Sequence, residues 1–280
     1  MIQPREPATA RLYHADPTTD AGSAFSAWLA VGVACASIAT MLVAMIAVVT
    51  LQGDPTIAVA VGQLGLVVVP AIAMRATGCD ARALGLVRPK LRFVVAAALV
   101  GASAWYLNIR LVELLPFPST DSRSLAQLVE QPSLGIVLVC VAVVPAICEE
   151  LLFRGVLVRG LASRFHPWLA VIAAAIAFSL YHVNPIQMIP TLTLGLAFGA
   201  ITLRGGSALP TMVAHALNNG IAILVVRGEL PFAIDADQTG SIDRHPTLAL
   251  VAAATLTTAG IAIAFVAPAF SRLPRARVMR

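Results

Sequence analysis

Long apolar runs separated by short polar stretches set the pattern of this chain. Within each run the hydrophobicity is continuous. It does not alternate with the period of two that a half-wet strand shows. A helix crosses the hydrocarbon of a bilayer with about 20 apolar residues. On that measure eight segments are predicted: 25–50, 57–75, 94–112, 133–153, 167–183, 186–203, 208–227 and 247–269. Lipid offers the backbone no water, so spanning segments are helices or closed barrels, and continuous runs are helices. The expected fold is all-α: a polytopic transmembrane bundle of about eight helices enclosing an intramembrane active-site cavity. It comprises a tail at 1–24, a helical domain at 25–270 and a second tail at 271–280.

An even number of crossings puts both termini on one side. With the termini in the cytoplasm, fifteen of the 19 basic residues fall inside: Arg5, Arg11, Arg75, Arg82, Arg88, Lys90, Arg92, Arg154, Arg159, Arg164, Arg204, Arg272, Arg275, Arg277 and Arg280. Arg123, Arg227 and Arg244 fall outside, and Arg110 lies near the outer end of the third segment. The bias sets the orientation by the positive-inside rule.

Composition agrees with this topology. The 280 residues are 59% hydrophobic and 12% charged, against about 25% charged in soluble domains, and the mean hydropathy is +0.86. These values exclude a water-soluble domain. The net charge of +5 does not indicate nucleic-acid binding, because the basic residues are spread between spans. Cys35, Cys79, Cys140 and Cys148 have no paired spacing, so neither a disulfide framework nor a cysteine zinc site is expected. No cleavable signal peptide is evident, since residues 1–24 are mostly polar. The outer loop 228–246 is acidic and rich in turn formers. The Ala- and Arg-rich composition and simple topology point to a bacterial plasma membrane.

Some polar residues interrupt the apolar runs. "ICEELLFRG" (147–155) places two adjacent carboxylates in a span, where a charge costs roughly 2.5–3.5 kcal/mol on insertion scales. His14, His166 and His245 fall in the tail or loops and read as solvated side chains. His182, His215, Asn218 and Asn219 lie in apolar segments, and polar groups are expected in segments four to seven only, with nothing matching in segments one to three. If the fourth helix continues to about Arg164, the helical rise puts Glu149, His182, His215 and Asn219 in the middle-to-inner part of the membrane. Arg154 and Arg159 would then snorkel or pair. Segments five and six are short, joined by "HVNPIQ", and suggest an incomplete crossing with a recess for water.

Helical spacing assigns faces. Glu150 and Arg154 are i,i+4 and are expected to pair. Glu149 points about 100° away and is left free for chemistry. His215 and Asn219 share a face, and Asn218 points elsewhere as interhelical glue. Phe178 shares a face with His182 and is expected to pack. Buried carboxylate and imidazole side chains are suited to taking a proton from water, and an imidazole and an amide can donate to a developing oxyanion. That is the inventory for amide hydrolysis. The same groups can ligate zinc. HExxH is absent, which excludes a zincin, while a zinc site from separate helices (Glu149, His182 and His215) stays open. No G-x-S-x-G occurs, so no serine nucleophile is indicated.

"EELLFR" (149–154), "FSLYH" (178–182) and "HALNN" (215–219) occur in order on membrane segments. Together, over residues 133–226, they resemble the CPBP family of intramembrane proteases, which includes the CAAX prenyl endopeptidases and the bacteriocin-processing Abi proteins. The resemblance implies that Glu149 and His182 activate water. His215 and Asn219 would stabilise the oxyanion, with Glu150, Arg154 and Phe178 supporting the site. It implies a membrane-associated peptide or protein substrate cut near the cytoplasmic side, no cofactor in the metal-free form, and no nucleic-acid partner. Two other classes remain: a transporter or proton-relay protein, which would show repeated halves with broken helices, and a non-catalytic membrane scaffold.

Overall fold

The structure is a computed structural model that describes residues 25–115, 129–130, 132–230 and 246–266. The tails 1–24 and 271–280, most of the loop 228–246, and residues 267–269 of the eighth segment lie outside the described residues. Every regular element among the described residues is helical. In chain order these are α1 (Ala27–Thr50), α2 (Pro55–Gln63), α3 (Gly65–Thr77), α4 (Leu91–Glu113), α5 (Leu134–Ala162), α6 (Pro167–Tyr181), α7 (Pro185–Gly205), α8 (Leu209–Val226) and α9 (Pro246–Phe265).

Local chemistry sets the helix ends. Ser26 caps α1, Asp54 caps α2 ahead of Pro55, and Asn184 caps α7 ahead of Pro185. Each side-chain oxygen accepts from a first-turn N–H that has no helical partner, and proline at the first position lacks that N–H. Backbone N–H groups of Ile57 and Thr56 hold the exposed Asp54 carboxyl below its ordinary value. Gly206, at φ 73°, ends α7 in the left-handed conformation.

Among the described residues, seven helical stretches are long and apolar enough to cross a membrane, with α2 and α3 forming one span, Pro55–Thr77. The protein is a polytopic helical membrane protein. All eight predicted segments find a counterpart, with two corrections. α5 does not stop at 153 but runs unbroken to Ala162. α6 has only 15 residues, about 22 Å, whereas α7, expected to be short, has 21 and is long enough to span. Among the described helices α6 alone is therefore the short segment.

α5 is the axis of the bundle and packs against α1, α2, α3, α6, α7 and α8. α4 lies on the far side of α8 and packs along α7, α8 and α9. Small residues let these helices approach closely, as membrane packing requires. A Cβ on Gly101 of α4 would run into the backbone of Ala214 on α8, the residue before His215.

Two basic residues counted as cytoplasmic are not in a loop. Arg154 and Arg159 are both buried in α5. Arg159 neither snorkels nor pairs with an acid. Its guanidinium donates to the carbonyls of Ala83 (3.0 Å), Arg82 (3.1 Å) and Gly206 (3.2 Å). It ties the short 3₁₀ turn Ala81–Leu84 to the α7–α8 turn. Arg159→Met leaves these carbonyls without that donor and is expected to destabilise the protein by about 3 kcal/mol, read as a lowered unfolding midpoint in detergent. An unchanged midpoint would show that the tie contributes nothing.

Candidate active site

Four helices bring the polar residues together at the middle of α5. The backbone there alternates: it makes wide i→i+5 turns over Leu138–Val143 and Leu151–Val158, on either side of the α-helical stretch Val144–Glu150. Such wide turns recur at functional sites, because they rotate side chains relative to a regular helix. Glu149 and Glu150 end the α-helical stretch, and Arg154 sits in the second wide turn.

The expected pair forms. Arg154 Nη1 lies 2.9 Å from Glu150 Oε1, with the two side chains 1% and 0% exposed. The contact is ionic, since the guanidinium N–H groups are not aimed along it. The Arg154 cation also lies 4.3 Å over the Phe178 ring and 5.7 Å from that of Phe198. Two aromatic faces and one carboxylate thus surround a charge that has left water. Phe178 packs, as expected.

Glu150 does more than neutralise Arg154. His215 Nδ1 lies 3.0 Å from the same Oε1. An ionised Glu150 can only accept, so Nδ1 carries the proton in this contact and Nε2 is left for other chemistry. Nε2 faces Glu149 Oε2 at 3.9 Å. That is too long for a direct hydrogen bond and suits two groups that share a third atom. Glu149 Oε2 is buried and has no hydrogen-bond partner.

The other imidazole is placed differently. His182 caps the C-terminal end of α6, and its Nδ1 lies 2.9 Å from the Phe178 carbonyl. Its ring stands edge-on to Phe178 (4.9 Å) and Tyr181 (5.0 Å), within electrostatic reach of Glu149 and His215. The next residue, Val183, has φ 57°, a strained conformation for a β-branched side chain. The tight turn into α7 thus sets the position of His182.

Asn219 and Asn218 sit side by side on α8, with Asn218 Nδ2 donating to Asn219 Oδ1 at 3.3 Å. Asn219 Nδ2 reaches the Val141 carbonyl at 3.5 Å. Pro145, four residues on, brings no N–H to that carbonyl. Asn219 therefore has a bridging contact between α8 and α5, and Asn218 Oδ1 is buried without a partner.

Sequence reasoning missed two residues that touch Glu149. Gln63 Nε2 donates to Glu149 Oε1 at 2.9 Å, and the Tyr181 hydroxyl lies 3.4 Å from the same oxygen. Tyr181 stands within "FSLYH", beside the histidine. Gln63 is the one amide in the second apolar run, and it corrects the expectation that polar groups are confined to segments four to seven. Asn108, buried in α4 and accepting from Thr193, is a second such residue.

The donor set bears on zinc. Among the described residues no three His, Cys, Asp or Glu side chains gather as metal ligands. Glu149, His182 and His215 as arranged do not form such a set.

Residues 131–221 match the family model described as type II CAAX prenyl endopeptidase Rce1-like. Over this stretch the chain is similar to the CAAX-protease family. The matched stretch contains Glu149, Glu150, Arg154, Phe178, His182, His215 and Asn219. No curated protein and no solved structure matches the chain. The matched stretch spans about a third of the sequence; Gln63 and all of α4 lie outside it.

The role of the buried pair can be separated from its chemistry. Glu150→Ala leaves Arg154 uncompensated and is expected to destabilise by about 3–5 kcal/mol. The double variant Glu150→Met/Arg154→Met should regain most of that stability. A double-mutant cycle of unfolding midpoints measures this. Strictly additive losses would show that the two side chains do not interact.

Proposed function

We propose that this protein is an intramembrane endopeptidase that hydrolyses a peptide bond of a membrane-associated peptide or protein. The observation that carries this reading is the facing pair of Glu149 Oε2 and His215 Nε2 at 3.9 Å, within a stretch similar to the CAAX-protease family. A water held between these atoms would give a proton to one of them as its oxygen attacks the substrate carbonyl. Glu150, braced by Arg154, keeps the His215 proton on Nδ1 and stabilises the imidazolium when Nε2 takes a second one. Asn219 would donate to the oxyanion from its amide, and His182, at the end of α6, would join it from Nε2 only as an imidazolium, because its Nδ1 proton goes to the Phe178 carbonyl. The protonated group then supplies the leaving amine. The resemblance paired Glu149 with His182 for water activation; the contacts favour His215 in that place, with His182 on the oxyanion side.

The family description supports a substrate of the CAAX type, a peptide presented at the membrane surface. The orientation proposed is both termini in the cytoplasm of a bacterial plasma membrane, which puts the inner end of α8 on the side of the site. Transport is the weaker reading. Gln63, a polar residue of the first half of the chain, joins the same cluster as Glu149 and, among the described residues, forms no second site with Asn108.

Glu149→Gln and His215→Ala should each lower cleavage of membrane peptides by at least about 10³-fold without loss of insertion or folding, and His182→Ala by on the order of 10²-fold. Peptidomics of membranes carrying each variant checks this, and full activity in Glu149→Gln would sink the assignment. Cleavage is also expected to persist in chelator, with no stoichiometric zinc in the purified protein by elemental analysis. Loss of activity on chelation, restored by zinc, would replace this mechanism with a metal one.

A further inference from the structure

We propose that Gln63 is a positioning residue for Glu149, so that the N-terminal helices outside the matched core complete the active site. This rests on the hydrolytic reading above. Glu149 has two carboxylate oxygens in unlike surroundings. Oε1 accepts from Gln63 Nε2 at 2.9 Å, while Oε2 is unpartnered and faces His215. The ionised carboxylate offers no donor, so the Gln63 amide must present its nitrogen to it. Tyr181 has one hydroxyl proton, divided between Met41 Sδ at 2.9 Å and Glu149 Oε1 at 3.4 Å. Gln63 is thus the nearer donor to Oε1. It also donates to the Tyr181 oxygen at 3.2 Å. Anchoring one oxygen stops the carboxylate from swivelling and leaves the other aimed at the imidazole.

The fold is built to deliver this amide. Gln63 is the last residue of α2 and is 4% exposed. It stands in "GQLG" (62–65), where the helix tightens between α2 and α3, with Leu64 N–H bonding to the Val61 carbonyl three residues back. A Cβ on Gly65 would lie 2.7 Å from the Met41 backbone nitrogen, and one on Gly62 would meet the Met45 side chain. The two glycines let α1 close against this turn, which wedges Gln63 between α1 and α5.

The test uses the full-length chain in detergent. Gln63→Met keeps the volume and removes the N–H. It should lower kcat by on the order of 10–100-fold with KM within about twofold. It should also move the infrared stretch of the Glu149 carboxyl group, isolated by difference against Glu149→Gln in each background. Gln63→Leu, which removes the N–H with little change of volume, serves the same purpose if the Met variant does not fold. An unmoved Glu149 band overturns the proposal. So does an unchanged kcat, or a loss of kcat that only tracks a lowered unfolding midpoint. If the wild-type protein cleaves no membrane peptide, the hydrolytic reading fails, and the infrared comparison still decides whether Gln63 holds Glu149.

Discussion

The arrangement depends on one buried ion pair. Glu150 and Arg154 have left water completely, and each would be costly alone in the middle of a bundle. Together, with two aromatic faces against the guanidinium, they make a charged element that a membrane helix can carry. The pair also has a spare acceptor direction on Glu150 Oε1, and His215 uses it. The orientation of the imidazole is therefore a consequence of the ion pair. Where Nε2 points, and so what it faces, follows from the bond on the other side of the ring.

The backbone around the pair is not a regular helix throughout. α5 widens to i→i+5 turns before and after Val144–Glu150, and Pro145 removes one N–H between them. In the helix Glu149 points about 100° away from Glu150. Glu150 therefore meets Arg154 at i,i+4 spacing while Glu149 faces Gln63 of α2 and His215 of α8. Neighbouring helices take up the consequences: Asn219 of α8 reaches the Val141 carbonyl, and Gly101 lets α4 press on α8 beside His215.

The cluster extends past the family-matched stretch. Residues 131–221 carry the acidic pair, His182 and His215, but among the described residues the side-chain donors to Glu149 Oε1 come from α2 and the end of α6. α1 contributes through Met41, packed against the tightened turn at Gly65 and against the Tyr181 hydroxyl. The first helices thus form part of the wall and the polar surroundings of the site, although their sequence carries no motif.

Much was legible in the order of residues, because hydrocarbon imposes simple rules. Helix number and approximate ends follow from apolar length, and α1, α4, α8 and α9 lie close to the predicted segments. The Glu150–Arg154 pair follows from i,i+4 spacing, and Glu149, His182 and His215 stand out because ionisable groups rarely enter a bilayer without cause. Gln63 was passed over because one uncharged amide in an apolar run looks like ordinary interhelical glue. The wide turns of α5 were also hidden, since no local residue pattern distinguishes them from α-helix. What the sequence alone determined was which residues are in the membrane and which of them do not belong there, since both depend on transfer from water. Which imidazole faces Glu149, which oxygen of Glu149 is held, and that Asn219 reaches Val141 were decided only by tertiary packing. Each depends on the angle and distance between helices far apart in the chain, which glycine contacts and one buried ion pair set.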